Sequence, residues 1–450
     1  MRHFTAIYAR LKQVKQRLYK YMTTFNIGIA GLGTVGAGVV RLIEDNGDLL
    51  TARTGCHFKV AAVSARSKTK DRGINLDGVD WYDTPVDMLN DDSLDLVLEL
   101  IGGEDGIAKE FIETALTKGV AVVTANKALL AKYGQFLAEL SEKTDTPLYY
   151  EAAIAGGIPI VKSLREGLVS SRISTIAGIL NGTCNFIMTE MEASGADFEN
   201  VLEDAQKKGY AEADPTFDID GIDAAHKLSL LAAIGFGMKP DFNSLKIEGI
   251  RNITSEDIQN AATLGYKIKL LAIAQKSDEG VLQQVGPALI ANDHALANVS
   301  GVLNAVYVTG DYVDSHFSVG PGAGQGPTAS AVMSDIVDFA CGNVRPVFGL
   351  PARDLKNQEA VELSEKINRF YLRLPVLDQP GVLAAISTIL KHYDISIETL
   401  IQIGRDPDQP VSIVITTHET KTGALENALK QIAELETTVD SPCVIPIQDF

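Results

Sequence analysis

The chain has 450 residues, enough for about three domains. Its apolar share of 46% supplies a globular core, and its formal charge of −18 argues against nucleic acid and anionic membranes as partners. Four cysteines (Cys56, Cys184, Cys341 and Cys443) lie far apart without a CxxC pair, which fits a reducing cytosol and excludes a cysteine-based zinc cluster. The seven histidines show no HExxH-type spacing, and no apolar run approaches the ~18 residues of a membrane span.

Residues 1–21 carry Arg2, Arg10, Lys12, Lys15, Arg17 and Lys20 and no acid. A basic, acid-free leader fits a transit peptide. Because Met22-Thr23-Thr24 runs straight into the first strand, a start misassigned upstream or a dispensable tail is preferred, with the protein cytoplasmic.

The first strand, Ile27 to Ala30, runs into Gly31-Leu32-Gly33-Thr34-Val35-Gly36 and then into a helical pattern (Val39, Val40, Leu42, Ile43). In such a turn the first glycine permits the bend. The second admits a pyrophosphate to the backbone, and the third lets helix and strand pack closely. The helix N-terminus offers N–H groups to the phosphates. The alternative is an ordinary tight strand-to-helix turn. The second strand is expected at Phe58–Val63. An NAD-selective site usually ends this strand in an acid for the ribose 2′-OH. Here Ser64-Ala65-Arg66-Ser67-Lys68-Thr69-Lys70 offers three bases and no acid. This favours NADP, with Arg66 and Lys70 at the 2′-phosphate, over NAD or a solvated basic loop.

Strands at Leu94–Leu100, Val120–Thr124 and Leu148–Glu151 alternate with helices at Ile107–Lys118 and Ala128–Lys143, the latter with Gly134 inside. Alternation of this kind predicts an α/β domain over 22–150 with a Rossmann-type, doubly wound parallel sheet. Ligands of such sheets sit at the carboxyl ends of strands. From 151 to 345 the texture becomes that of an α+β substrate domain. Strands are expected at Ile173–Leu180, Val281–Leu289, Ala305–Thr309 and Asp311–Phe317, with a helix at Ala224–Ile234. A second glycine-rich loop, Gly320–Gly326, opens a helix at Thr328–Phe339. It fits close approach to a ligand or a plain connecting loop. Residues 346–364 read as a linker. Residues 365–450 follow the order βαββαβ, a ferredoxin-like arrangement with no active-site cluster, hence regulatory or oligomerising.

Lys127, at a strand end, is a candidate donor to a carbonyl undergoing reduction or else a surface lysine. The richest stretch is Gly209–Lys227, GYAEADPTFDIDGIDAAHK. Asp223 and Lys227 stand i,i+4 on one helix face and can pair, and the apolar run after Lys227 implies burial. Asp220 and His226 are read as a solvated acid and an ordinary imidazole. Cys184 lacks an obvious base and is read as a buried thiol.

Taken in order, GLGTVGAGV, TANKALLA, YEAAIAGGIPI, GILNGTCNFI, GYAEADPTFDIDGIDAAHKL and GPGAGQGPTASAVMSDI resemble homoserine dehydrogenase, in its monofunctional form, over residues 22 to about 345. The C-terminal segment, with Leu377-Asp378-Gln379-Pro380-Gly381-Val382-Leu383, resembles an ACT domain. The resemblance implies interconversion of L-homoserine and L-aspartate 4-semialdehyde with NAD(P), in threonine and methionine biosynthesis. It makes Lys227 the proton donor, with Lys127 assisting at the substrate oxygen and cofactor. It puts Glu212 on the substrate's amino group and Asp223 in support of Lys227, and lines the pocket with Thr183, Tyr210 and Asp218. Gly31, Leu32, Gly33, Thr34, Val35 and Gly36 would hold the pyrophosphate, with Gly324 from the second glycine loop. It also implies a structural monovalent cation such as Na⁺ at Glu151, Ile154, Gly156 and Ile158, held by carbonyl oxygens. An amino-acid effector, threonine above all, and a homodimer or homotetramer complete the expectation. The rivals are a nucleotide-sensing binding protein, which needs neither Lys127 nor the Glu212/Asp223/Lys227 set, and a semialdehyde dehydrogenase using Cys184.

Overall fold

The computed structural model describes residues 23–402 and 410–450. The basic segment 1–21 lies outside them. The described chain falls into two compact units. One holds residues 23–169, Gly237–Pro240 and Pro321–Lys356; the other holds Ser170–Phe236, Asp241–Gly320 and the rest from Asn357.

The first unit is built on six strands: β1 (Thr23–Ala30), β2 (Cys56–Ser64), β3 (Asp80–Tyr82), β4 (Leu96–Glu99), β5 (Ala121–Thr124) and β6 (Leu148–Tyr149). They pair in the order β3-β2-β1-β4-β5-β6, all parallel. This is the doubly wound order whose switch point lies between β1 and β4. β4 and β5 are buried at every residue, as strands covered on both faces must be. The crossover helices are α1 (Thr34–Thr54), α2 (Ile107–Thr117) and α3 (Lys127–Thr144). The later helix Gln325–Cys341 returns to this sheet and adds Ala329, Val332 and Ile336 to its core.

Two details depart from expectation. The last strand stops at Tyr149, and a short 3₁₀ turn, Glu151–Ala153, follows. Glu151 does not continue the strand because its carboxylate accepts N–H bonds from Val161 and Lys162, each at 2.9 Å. The stretch expected to be a polar linker is partly core. Val347 and Phe348 are fully buried, and the Tyr150 hydroxyl donates to the Val347 carbonyl at 2.8 Å. Phe348 also explains Gly134 inside a helix: a Cβ there would lie 2.8 Å from the Phe348 ring.

In the second unit, nine strands follow one path through an eleven-stranded mixed sheet. They are β7 (Ile173–Ile179), β8 (Tyr266–Lys276), β9 (Val281–Ala291), β10 (Leu303–Gly310), β11 (Asp314–Pro321), β12 (Ile367–Leu377), β13 (Ile397–Gln402), β14 (Pro410–Thr417) and β15 (Cys443–Gln448). Their spatial order is β11-β10-β7-β8-β9-β15-β12-β14-β13. Helix α4 (Gly182–Ser194) follows β7, and α5 (Ile222–Phe236) packs on β7, β8 and β9. It is buried on nearly every face, and is mostly apolar apart from Asp223, His226, Lys227 and Ser229. α6 (Ser255–Thr263) starts at a Thr254/Asp257 capping box and leads into β8. The C-terminal part has the expected βαββαβ order, with α7 (Val382–His392) and α8 (Thr422–Ala433) closing its own core of Leu372, Leu374, Ile386, Ile415, Leu425 and Ile432. Its sheet is continuous with the rest: β15 joins β9 in parallel, Leu289 opposite Ile447 and Ile290 opposite Gln448.

Candidate active site

The glycine turn is built by packing at two of its three glycines. Gly31 has φ +104°, and a Cβ there would stand 2.4 Å from the Leu100 carbonyl oxygen. A Cβ at Gly36 would stand 2.1 Å from the Gly31 oxygen, so strand and helix meet only because both are glycine. At Gly33, by contrast, a Cβ would meet nothing within 4 Å. Protein packing does not require this glycine, and the space in front of it is open. Gly33 is also the N-cap of α1 and provides no side-chain cap for the helix donors at Thr34, Val35 and Gly36. The second glycine loop reaches the same helix. Gly324, at φ +112°, precedes Gln325, and a Cβ on Gly38 would lie 2.7 Å from the Gln325 side chain. Arg41 donates to the Gln325 amide oxygen at 3.2 Å.

Arg66 and Lys70 are exposed in the loop after β2, with Lys68 between them. The residue that organises this loop went unforeseen. Arg72 donates to the carbonyls of Leu32 at 2.9 Å, Lys70 at 2.8 Å and Ser67 at 2.7 Å, and lies 5.8 Å from the Trp81 ring. One guanidinium therefore ties the basic loop to the glycine turn.

A second unforeseen residue, Glu99, ends β4 and is completely buried. It accepts N–H bonds from Ile101 and Gly102 at 2.9 and 3.0 Å and the Thr124 hydroxyl at 2.6 Å. Asn126 caps α3 through Leu129 N–H at 3.1 Å and donates to the Gly103 carbonyl at 2.6 Å. These contacts fix the carboxyl ends of β4 and β5, and Lys127 is the first residue of α3, half-buried beside them.

The turn over Glu151, Ile154, Gly156 and Ile158 has side chains ill suited to a cation. Both Glu151 oxygens are taken by backbone donors, and Ile154 and Ile158 are apolar and buried. Main-chain carbonyls are the donors this turn offers, which suits a hard monovalent ion. The turn itself is tightly built: Gly156, at φ +53°, comes so close to the second glycine loop that a Cβ would stand 2.4 Å from the Gly322 oxygen.

In the second unit, the predicted helix pair is present. Lys227 is 8% exposed and Asp223 5%. The Lys227 ammonium donates to Asp223 Oδ2 at 2.6 Å and to the Leu180 carbonyl at 2.7 Å. Asn181, which the sequence did not single out, joins the group. Its Oδ1 caps α4 through Cys184 N–H at 2.8 Å, and its Nδ2 donates to Asp218 Oδ1 at 2.8 Å and Asp223 Oδ2 at 2.9 Å. Burial pushes the Asp218 carboxyl up, partly offset by the Asn181 bond, with the neighbouring Asp223 charge adding to the rise. Thr183 donates to the Tyr210 carbonyl at 2.7 Å; Tyr210 is 45% exposed and Glu212 is exposed beside it.

Cys184 is fully buried, its thiol pointed at the Asp218 carbonyl at 3.2 Å. Burial and the surrounding carboxylates push its pKa well up, the opposite of an activated nucleophile. His226 stacks on Phe242 at 4.3 Å in an aromatic cluster, and Asp220 pairs with Arg251 at the surface. No group of three His, Cys, Asp or Glu side chains able to hold a metal ion occurs among the described residues.

The family model for homoserine dehydrogenase matches residues 159–337, that for the homoserine dehydrogenase NAD-binding domain residues 31–151, and that for the ACT domain residues 370–437. The homoserine dehydrogenase of Neisseria gonorrhoeae is 42% identical over 421 residues, covering 92% of this chain and 96% of that protein. The crystal structure of a homoserine dehydrogenase from Thiobacillus denitrificans superposes with a TM-score of 0.89 at 40% identity, covering 95% of this chain and all of that one. A hyperthermophilic archaeal homoserine dehydrogenase in complex with NADPH superposes with a TM-score of 0.62 at 26% identity, over 72% of this chain and all of that one.

Proposed function

The chain belongs to the homoserine dehydrogenase family, NAD(P)-dependent oxidoreductases acting on a CH–OH group, and from that premise we propose that it interconverts L-homoserine and L-aspartate 4-semialdehyde with NADP as preferred cofactor. The observation that carries the reading is the buried Lys227–Asp223 pair and its Asn181 support. The nicotinamide, when bound, supplies or accepts hydride at the substrate carbon. The Lys227 ammonium stabilises charge developing on the substrate oxygen and gives it a proton. Asp223 keeps that ammonium charged and aimed, so the cation is in place before the barrier is climbed. Lys127 assists at the substrate oxygen and cofactor. Glu212 takes the substrate's amino group, and Asp218, Thr183 and Tyr210 line the pocket.

The residues from Gly31 to Gly36, with Gly324, hold the pyrophosphate. Arg66 and Lys70 favour the 2′-phosphate, a reading supported by the acid-free loop and by the NADPH complex of the archaeal relative. Carbonyls of the Glu151–Ile158 turn take a monovalent cation such as Na⁺. The protein works in the cytoplasm as a homodimer or homotetramer in threonine and methionine biosynthesis, and threonine acts through the ACT region.

Nicotinamide absorbance with homoserine and either cofactor tests the activity. Homoserine-dependent reduction is expected, with higher kcat/KM for NADP. No reduction with either cofactor overturns the reading, and a phosphate-dependent, thiol-sensitive oxidation of the semialdehyde would transfer the role to Cys184.

A further inference from the structure

Two buried asparagines converge on Lys227 from different elements. Asn181 is 4% exposed and Asn304 1%. The first acts through the carboxylate: its Nδ2 binds Asp223 Oδ2, the same oxygen that receives the ammonium, and also binds Asp218. One amide thereby holds two carboxylates that would otherwise repel each other across a buried space. The second acts through the backbone. β10 pairs antiparallel with β7, Ala305 opposite Ile179, which brings Asn304 to Leu180. Its Nδ2 donates to the Leu180 carbonyl at 3.0 Å, the carbonyl that also accepts from Lys227. The Asn304 Oδ1 is buried and meets no donor among the described residues. Burying an unpaired amide oxygen is costly, and packing alone would be served better by an apolar side chain.

We propose that Asn181 and Asn304 are positioning residues that fix the direction of the Lys227 ammonium, one through Asp223 and the other through the Leu180 carbonyl. The proposal rests on Lys227 as proton donor. Two acceptors of the ammonium, Asp223 Oδ2 and the Leu180 carbonyl, are each held by an asparagine, so the direction of both bonds is fixed. Misplacing a reacting group by about 1 Å can cost roughly 10²-fold in rate. Asn181 also sets the charge balance. The titratable groups that act with the ammonium include Asp223 on its own helix, Asp218 from the preceding segment and the Cys184 thiol from α4.

Asn181→Asp keeps the helix-capping oxygen but replaces the bridging donor by a third carboxylate. For aldehyde reduction, kcat should fall roughly 10- to 100-fold. The alkaline limb of its pH profile should move to higher pH, because added negative charge holds the lysine proton more firmly. A merely structural role would lower Tm and leave kcat of the folded variant at the wild-type value. Asn304→Leu preserves volume and removes the second donor; its kcat should fall about tenfold with KM for the cofactor unchanged. It carries the inference should Asn181→Asp fail to fold. Wild-type kcat in Asn304→Leu, or a folded Asn181→Asp with an unmoved limb, overturns the proposal. Lys227→Ala measured alongside separates the two readings: if it abolishes turnover while both asparagine variants behave as wild type, only the positioning role fails. If it retains turnover, the proton-donor assignment itself fails.

Discussion

Lys227 is 8% exposed and bonded to a carboxylate at 2.6 Å, an unusual setting for a lysine, which is rarely buried unless paired. Lys227→Ala should leave the glycine turn and cofactor KM intact and lower kcat by roughly 10²–10⁴-fold, the range for a general acid; near-normal turnover would refute its role. The Asp223–Lys227 pair was legible in the sequence because i,i+4 spacing is a property of the helix alone. Asn181 and Asn304 were not. Their contacts reach Asp223 across 42 residues and Leu180 across 124, and no local pattern encodes such pairings. An asparagine ahead of a helix did carry a signal for the cap it makes, though not for the carboxylates it bridges.

At the scale of elements, the strand–glycine–helix unit was readable from the spacing of its glycines between a strand and a helix pattern, and the structure shows the two clashes that Gly31 and Gly36 avoid. β8 was missed. Its run Leu270-Leu271-Ala272-Ile273-Ala274 is buried on both faces, so it shows no alternation to distinguish it from a helix. The basic loop after β2 was seen as a charge cluster, but the staple that gives it shape, Arg72, lies just beyond the stretch that looked informative. The two arginines should therefore behave differently. Arg66→Asp should raise KM for NADP far more than for NAD, since a carboxylate repels a 2′-phosphate and accepts from a 2′-OH. Arg72→Ala should raise both, because it frees the loop from the Leu32 carbonyl in the glycine turn. Equal effects of Arg66→Asp on the two cofactors would place Arg66 outside the adenosine pocket.

The whole second unit reads differently from its parts. The C-terminal βαββαβ segment looks separable in sequence, yet β15 extends the sheet of β7–β9, and a buried ion pair crosses the join. Asp257, fully buried, accepts from Arg373 at 2.7 and 3.1 Å and from the Tyr371 hydroxyl at 3.0 Å. These bonds outweigh the desolvation and hold the Asp257 carboxyl below its usual value. A depressed carboxyl pKa gives stability that is present above the unfolded value and is lost as pH falls through the folded one. Acid unfolding of this unit should therefore steepen below about pH 4. Arg373→Met should cost about 3–5 kcal/mol, read as a lower Tm, and should flatten that acid limb; an unchanged Tm would mean that the pair does not hold the join. The same join rules out removal of the segment as a clean test of regulation, because cutting after about residue 350 would strand Asp257 and expose the edge of β9. The loop ahead of α7 is the better target. Asp378 to Leu383 lead into α7, with Gly381 at φ +97° as its N-cap. If threonine binds there, its influence has a short route through hydrogen-bonded strands: β12 to β15 and β9, then β8 and β7, whose next residue, Leu180, supplies a carbonyl that accepts from Lys227. A coupling of about 1–3 kcal/mol would give roughly 5- to 150-fold weaker substrate or cofactor affinity in the threonine-bound state. Asp378→Ala in the full chain should raise the threonine needed for half-inhibition about tenfold and leave turnover without threonine within about twofold, a loss of ~1.4 kcal/mol of effector binding. A full-length enzyme that responds neither to threonine nor to any related amino acid would leave the segment as an oligomerising element only.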